Sequence, residues 1–238
     1  MSSLPALRVQ IPQVSSVPGD KACVATRLNG SDSHVACAYF DGCITVFDID
    51  EKIVFNTQDV GCLKQMPGGD WKMTEQDDDT IAVMNLRWCP PPNDMFMAAT
   101  ATGGILAIWQ ISQRVQELCA CMRAEDDEFY GLDWTMDGAK ICVGGAAKTV
   151  KVYDPHCDMA CVISEFEGVN EGVNGHINRI TAVKASPRES NLITSAAMDH
   201  TVQLWDLRQR DFVGACPGAL VSGDALDIDA SGQYLSLF

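Results

Sequence analysis

Ser195, His176 and Asp199 are the residues of this chain whose types suit nucleophilic chemistry: a hydroxyl, an imidazole to take its proton and a carboxylate to orient the ring. Such a triad works only when folding brings the three groups together, and no G-x-S-x-G, P-loop Gly-Lys-Ser/Thr or G-x-G-x-x-G accompanies them. Metal ligation has two starting points, "HCDMAC" with His156, Cys157 and Cys161, and "CAC" with Cys119 and Cys121. Neither has the C-x2-C pair and matching second pair of a zinc site, so strand or loop cysteines are expected. The acidic run Asp77, Asp78 and Asp79 lacks the Gly and terminal Glu of an EF-hand loop and reads as a solvated charge run. No catalytic, cofactor-binding or metal site is expected.

The elements around Ser195 and Asp199 explain more. "MDHTVQLWDLR", residues 198 to 208, is a tight turn followed by a strand in which Val202, Leu204 and Leu207 are apolar while Thr201, Gln203 and Asp206 are polar. Three relatives precede it: "DGCITVFDID", "TGGILAIWQIS" and "AAKTVKVYDPH". Their aromatics, Phe47, Trp109, Tyr153 and Trp205, recur near the ~40 to 45 residues of a four-stranded propeller blade once insertions are allowed.

Turn residues place the remaining strands. In the first unit "ACVATRL" leads through Asn29-Gly30 to "HVACAYF", and "KIVFN" follows the aromatic strand. The second runs "IAVMNLRW", "MFMAAT", the Ile105 strand and "VQELCAC"; the third "FYGLDWT", "KICVGG" and, after its aromatic, "ACVISEF"; the fourth "RITAVKAS", "NLITSAA" and "DFVGAC". The expected organisation is an N-terminal segment at 1–19, with "ALRVQIPQV" as a possible ring-closing strand. Units follow at 20–60, 80–122, 123–166 and 167–218, with an acidic, Gly-rich insertion loop at 61–79 and the start of a fifth unit at 219–238. "EFEGVNEGVNG", residues 165 to 175, reads as a second loop.

The fourth unit resembles the WD40-repeat family: Gly175-His176 stands where that family has Gly-His, and Trp205-Asp206 where it has Trp-Asp. The resemblance implies an all-β WD40 β-propeller, four full blades plus the start of a fifth, as part of a seven-bladed ring. It also implies a structural tetrad, Trp205 to Ser195, Ser195 to His176 and His176 to Asp199, so that the Ser/His/Asp group is scaffold and not catalyst. The other units depart from the pattern. Cys37, Ala99 and Val143 hold the slots matching Ser195, and Gly103 and Ala147 replace the turn carboxylate that Asp41 keeps, so these units are expected to rely on apolar packing. Seven such blades need roughly 300 residues, so this chain reads as part of a longer one, with a partner's strands or a second copy as the other means of closing the ring.

The net charge of −15 disfavours nucleic acid and anionic lipid as direct partners. Eleven scattered cysteines, no basic leader and no run of ~18 apolar residues predict a soluble chain without membrane insertion. An intracellular, cytoplasmic location is expected, with cytoskeletal, ciliary or nuclear sites also open. The expected function is a non-enzymatic scaffold for other proteins in a multi-subunit complex, with Trp71, Met73, Asp206 and Arg208 as candidate contacts. Two alternatives accompany it. "ITSAAMDHTVQLWDLR" resembles the motif by which some WD40 substrate receptors bind a cullin-RING ubiquitin-ligase adaptor, Thr194 departing from it. The second is a structural subunit among ciliary or axonemal, cytoskeletal proteins.

Overall fold

Antiparallel strands joined by tight turns account for the whole described structure, a computed structural model that covers residues 22–49, 58–59, 63–65, 71–73, 81–112, 115–155, 162–166, 175–209, 211–218, 221–233 and 235–237. The first sheet holds β1 (Cys23–Leu28), β2 (His34–Tyr39), β3 (Cys43–Asp48) and β4 (Gln58–Asp59). A hairpin follows, β5 (Leu63–Gln65) with β6 (Trp71–Met73). The second sheet is β7 (Val83–Trp88), β8 (Phe96–Ala101), β9 (Ile105–Ser112) and β10 (Val115–Arg123); the third is β11 (Phe129–Trp134), β12 (Ile141–Gly145), β13 (Val150–Tyr153) and β14 (Val162–Phe166). The fourth is β15 (Ile180–Ala185), β16 (Leu192–Ala197), β17 (Thr201–Asp206) and β18 (Asp211–Pro217). β19 (Leu226–Ile228) and β20 (Leu235–Leu237) form a two-stranded fifth sheet.

Each four-stranded sheet is a meander in which chain order is spatial order, because connections of two to nine residues are too short for a parallel crossover and join antiparallel neighbours. The sheets then pack face to face in sequence. One apolar cluster joins the first and second through Val46, Leu86 and Trp109, and another joins the second and third through Leu106, Leu132 and Tyr153. Val152, Ile193 and Trp205 join the third and fourth, and Ala196, Val202 and Leu226 the fourth and fifth. The first strands of neighbouring sheets lie beside one another, β1 by β7, β7 by β11, β11 by β15 and β15 by β19. This is the blade arrangement of a propeller, with the first strand of every blade innermost. Close approach has a sequence cost: a Cβ on Gly131 would lie 2.7 Å from the Val183 backbone nitrogen, so β11 and β15 meet at their spacing only with glycine there.

Three backbone details repeat from blade to blade. A register shift falls at the start of the innermost strand, between Cys23 and Ala25, Val83 and Asn85, Phe129 and Gly131, and Ile180 and Ala182. The turn after the second strand is tied to the chain entering the blade by Phe40 N–H to Ala22 O, Thr102 to Ala82, Ala146 to Glu128 and Met198 to Arg179, all at 2.9 to 3.0 Å. That turn ends in a left-handed residue, Gly42, Gly104, Lys148 or His200, with φ between 64° and 86°.

The chain departs from the sequence expectation between the first two blades. β4, which pairs with Cys43 and Ile44, lies at Gln58–Asp59, beyond "KIVFN", which is outside the described residues. The segment expected to be an insertion loop contains the β5–β6 hairpin, in which Leu63 pairs with Met73 and Gln65 with Trp71. The possible ring-closing strand at 1–19, the acidic run at 77–79 and the "HCDMAC" cysteines all lie outside the described residues.

Candidate functional site

His176, Ser195, Asp199 and Trp205 meet inside the fourth blade. Gly175, at φ 113°, lets the chain turn into the blade, and His176 then points back under the β16–β17 turn. Alternation along β16 places Ser195 on the face turned towards the third blade, diagonally across from Trp205 on β17. The Trp205 indole N–H donates to Ser195 Oγ at 2.7 Å, His176 Nε2 lies 2.8 Å from Ser195 Oγ, and His176 Nδ1 lies 2.9 Å from Asp199 Oδ2. One consistent set of protons follows: the indole donates to the hydroxyl, the hydroxyl to Nε2, and Nδ1–H to the carboxylate. Asp199 is further satisfied by the Thr201 hydroxyl at 2.7 Å and by the N–H groups of Thr201 and Ile177 at 3.0 and 2.9 Å.

Electrostatics keeps this relay in one state. Burial pulls the His176 pKa below its ordinary 6.5, against the opposing pull of Asp199, so the ring is neutral at physiological pH. Burial pushes the Asp199 carboxyl up, but the Thr201 and His176 hydrogen bonds outweigh it and hold the group below 3.8. Ser195 Oγ accepts from the indole while its proton engages Nε2, and the residue is fully buried. Each polar proton of the relay has an acceptor, so the triad-like geometry fixes the turn, and the Ser195 hydroxyl is buried away from solvent.

Asp206 and Arg208 lie at the end of β17. Arg208 folds back onto Asp206, with Nη2 to Oδ2 at 2.7 Å, Nε to Oδ1 at 3.1 Å and its own backbone N–H to Oδ1 at 2.8 Å. These bonds pull the Asp206 carboxyl down to about 2. The Arg208 side chain is 60% exposed and that of Asp206 only 4%. Trp71 and Met73 are strand residues of β6, and their side chains lie outside the described residues.

The structure adds residues that the sequence reading missed. Phe40, Ile177 and Met198 are 62%, 75% and 43% exposed, and all three sit at the end of the blades that carries the repeated turn bond. Their signal in the sequence was an apolar residue inside a turn, where nothing in the strand pattern calls for one. In the third blade, expected to rely more on apolar packing, a buried polar contact stands beside that packing. Asp127, on the segment entering that blade, accepts the Ala147 N–H at 2.8 Å and the Lys151 ammonium at 3.0 Å, with Lys151 also 6.0 Å from the Phe129 ring centre. The carboxylate absent from the turn at Ala147 has moved to the other side of the same contact. In the second blade the Thr102 hydroxyl accepts from Ala82 N–H at 3.0 Å, but the Trp109 indole N–H is buried without a partner. Among the described residues no three His, Cys, Asp or Glu side chains are grouped as metal ligands, and no helix is long and apolar enough to cross a membrane.

Comparison with known proteins follows the same geometry. Residues 169–206, the segment that carries the tetrad, match the family described as WD domain, G-beta repeat. Ribosome biogenesis protein YTM1 of Lodderomyces elongisporus is 35% identical over 68 residues, covering 29% of this chain and 13% of that protein. Poly(A)+ RNA export protein of Schizosaccharomyces pombe is 22% identical over 120 residues, 50% of this chain and 31% of that protein; Polycomb protein esc of Musca domestica is 25% identical over 125 residues, 50% and 27%. The matched part of this chain thus spans less than a third of each relative. A chain in the crystal structure of the mitotic checkpoint complex shares the fold, with a TM-score of 0.65 at 16% identity over 87% of this chain and 56% of that one.

Proposed function

We propose that this chain, whose residues 169–206 match the WD repeat and whose sheets are arranged as propeller blades, is a non-enzymatic docking platform for other proteins in a multi-subunit assembly inside the cell. The observation that carries the reading is the set of exposed apolar side chains at one end of the blades, Phe40 on the first and Ile177 and Met198 on the fourth, held on backbone that is hydrogen-bonded in place. Asp199 takes the Ile177 N–H, and Met198 N–H binds Arg179 O, so both side chains are presented by a backbone that loses little freedom on binding. The tetrad serves this surface by fixing the turn and takes no part in chemistry. The relatives carry names from ribosome biogenesis, RNA export and Polycomb, which supports a reusable platform and not one particular process.

Affinity purification of tagged wild-type chain against Ile177→Asp/Met198→Asp tests this. Loss of co-purifying proteins with an unchanged melting curve is the expected result. Retention of the same companions by the double variant refutes the proposed face.

A second reading has one observation in its favour. Arg208, although folded onto the buried Asp206, keeps 60% of its side chain exposed, which leaves the guanidinium accessible to a ligase adaptor. Here Arg208→Ala abolishes recovery of the cullin-RING adaptor; equal recovery removes the reading.

A further inference from the structure

Charged side chains occupy one matching position on all five innermost strands: Arg27 on β1, Arg87 on β7, Asp133 on β11, Lys184 on β15 and Asp227 on β19. On the first four it is the residue before the last of the strand, on the fifth the residue before Ile228. Neighbours pair where signs allow: Arg87 Nε lies 3.7 Å from Asp133 Oδ1, and Lys184 Nζ lies 3.6 Å from Asp227 Oδ1. Arg27 and Arg87 are adjacent and alike in charge, so on their own they repel. Asp224, on the chain entering the fifth blade, resolves this. Its Oδ2 accepts Arg27 Nη2 at 2.5 Å and also Arg87 Nη2.

Burial makes the arrangement consequential. The Arg87 side chain is only 7% exposed, and its Nη1 is spent on Asn85 Oδ1 and Leu86 O inside its own strand. A guanidinium that dry needs a carboxylate, because removing one partner of a buried ion pair strands the other. Burial and the Arg87 charge together pull the Arg27 pKa down, and Asp224 opposes them. Among the described residues the apolar clusters join consecutive sheets, as the first to the second and the fourth to the fifth.

We propose that Asp224 is a latch across the propeller axis: one carboxylate, shared by two guanidinium groups, ties the fifth blade to the first two and makes β1, β7 and β19 open as a unit. A platform whose blades are pinned from inside presents turns on different blades, such as those of Phe40 and Met198, at a constant separation.

Hydrogen–deuterium exchange on the purified chain tests this with Asp224→Asn, Arg27→Met and the double variant. Asp224→Asn is expected to speed exchange in β1, β7 and β19 by about tenfold and leave β12 and β13 unchanged. Arg27→Met, at a partly exposed site, speeds β19 as well as β1, and the double variant is no faster than Asp224→Asn. Asp229→Asn, which loosens the β19–β20 turn locally, leaves β1 unaltered. The latch is overturned if β1 is unaffected by Asp224→Asn, if the two single effects add, or if Asp229→Asn opens β1 equally. Should Asp224→Asn not fold, unchanged β19 exchange in Arg27→Met decides against the proposal.

Discussion

Trp109 faces Ala99 in the second blade as Trp205 faces Ser195 in the fourth, at the same strand register, so one buried indole has an acceptor and the other has none. The two blades differ at this point by a single hydroxyl group.

Ala99→Ser should therefore stabilise the chain. A hydroxyl at this position gives the Trp109 N–H a partner worth about 1 kcal/mol, and Tm in scanning calorimetry should rise by roughly 2–4 °C. The converse, Ser195→Ala, strands both the Trp205 donor and His176 Nε2 and should cost about 1–3 kcal/mol. A drop in Tm for Ala99→Ser would show that the site is too tightly packed for the oxygen.

Acid should weaken the fold through His176. Its folded pKa lies below the 6.5 of the unfolded chain, so between those values the unfolded state binds more protons. The stability is complete above pH 6.5 and is lost as pH falls through 6.5 towards the folded value. Asp199, held below 3.8, adds a further loss at still lower pH. Urea midpoints at pH 7.5 and 5.5 should differ in this direction, and His176→Asn should shrink the difference. An equal pH effect in that variant rules His176 out as the cause.

The third blade depends on a different pair. Asp127→Ala removes the acceptor for Ala147 N–H and the carboxylate 3.0 Å from the largely buried Lys151 ammonium, which should cost about 3 kcal/mol in denaturant titration. Adding Lys151→Met should recover part of that loss, because the buried charge is then gone. A cost that the second substitution deepens contradicts the ion-pair reading.

Lys148 holds φ at 67°, the position glycine fills in the first and second blades. Lys148→Gly removes the Cβ strain of the left-handed region and should gain up to about 1 kcal/mol, less the greater freedom glycine brings to the unfolded chain. Ala146→Gly, at a neighbouring turn residue, is the control that should only lose stability.

Within one blade, nearly everything was readable from the residues in order. Alternation around Val202 and Leu204 marks a strand, Asn29-Gly30 marks a turn, and Gly175-His176 with Trp205-Asp206 carries the family pattern, because each is set by contacts between near neighbours in the chain. The β5–β6 hairpin escaped that reading since three-residue strands leave no apolar period to detect. Asp127 escaped it because the carboxylate crossed to the other side of the turn contact, where no motif looks for it.

The amino-acid order by itself determined the repeating four-strand unit and its turns, and the buried polar relay of the fourth blade came from its resemblance to the WD40 pattern. Only the tertiary structure decided that Arg27, Arg87 and Asp224 meet, and that Phe40, Ile177 and Met198 share one end of the blades. The physical reason is range: strand and turn preferences act over a few residues, whereas a charge pair forms wherever blade stacking delivers the two groups, with no spacing rule to announce it.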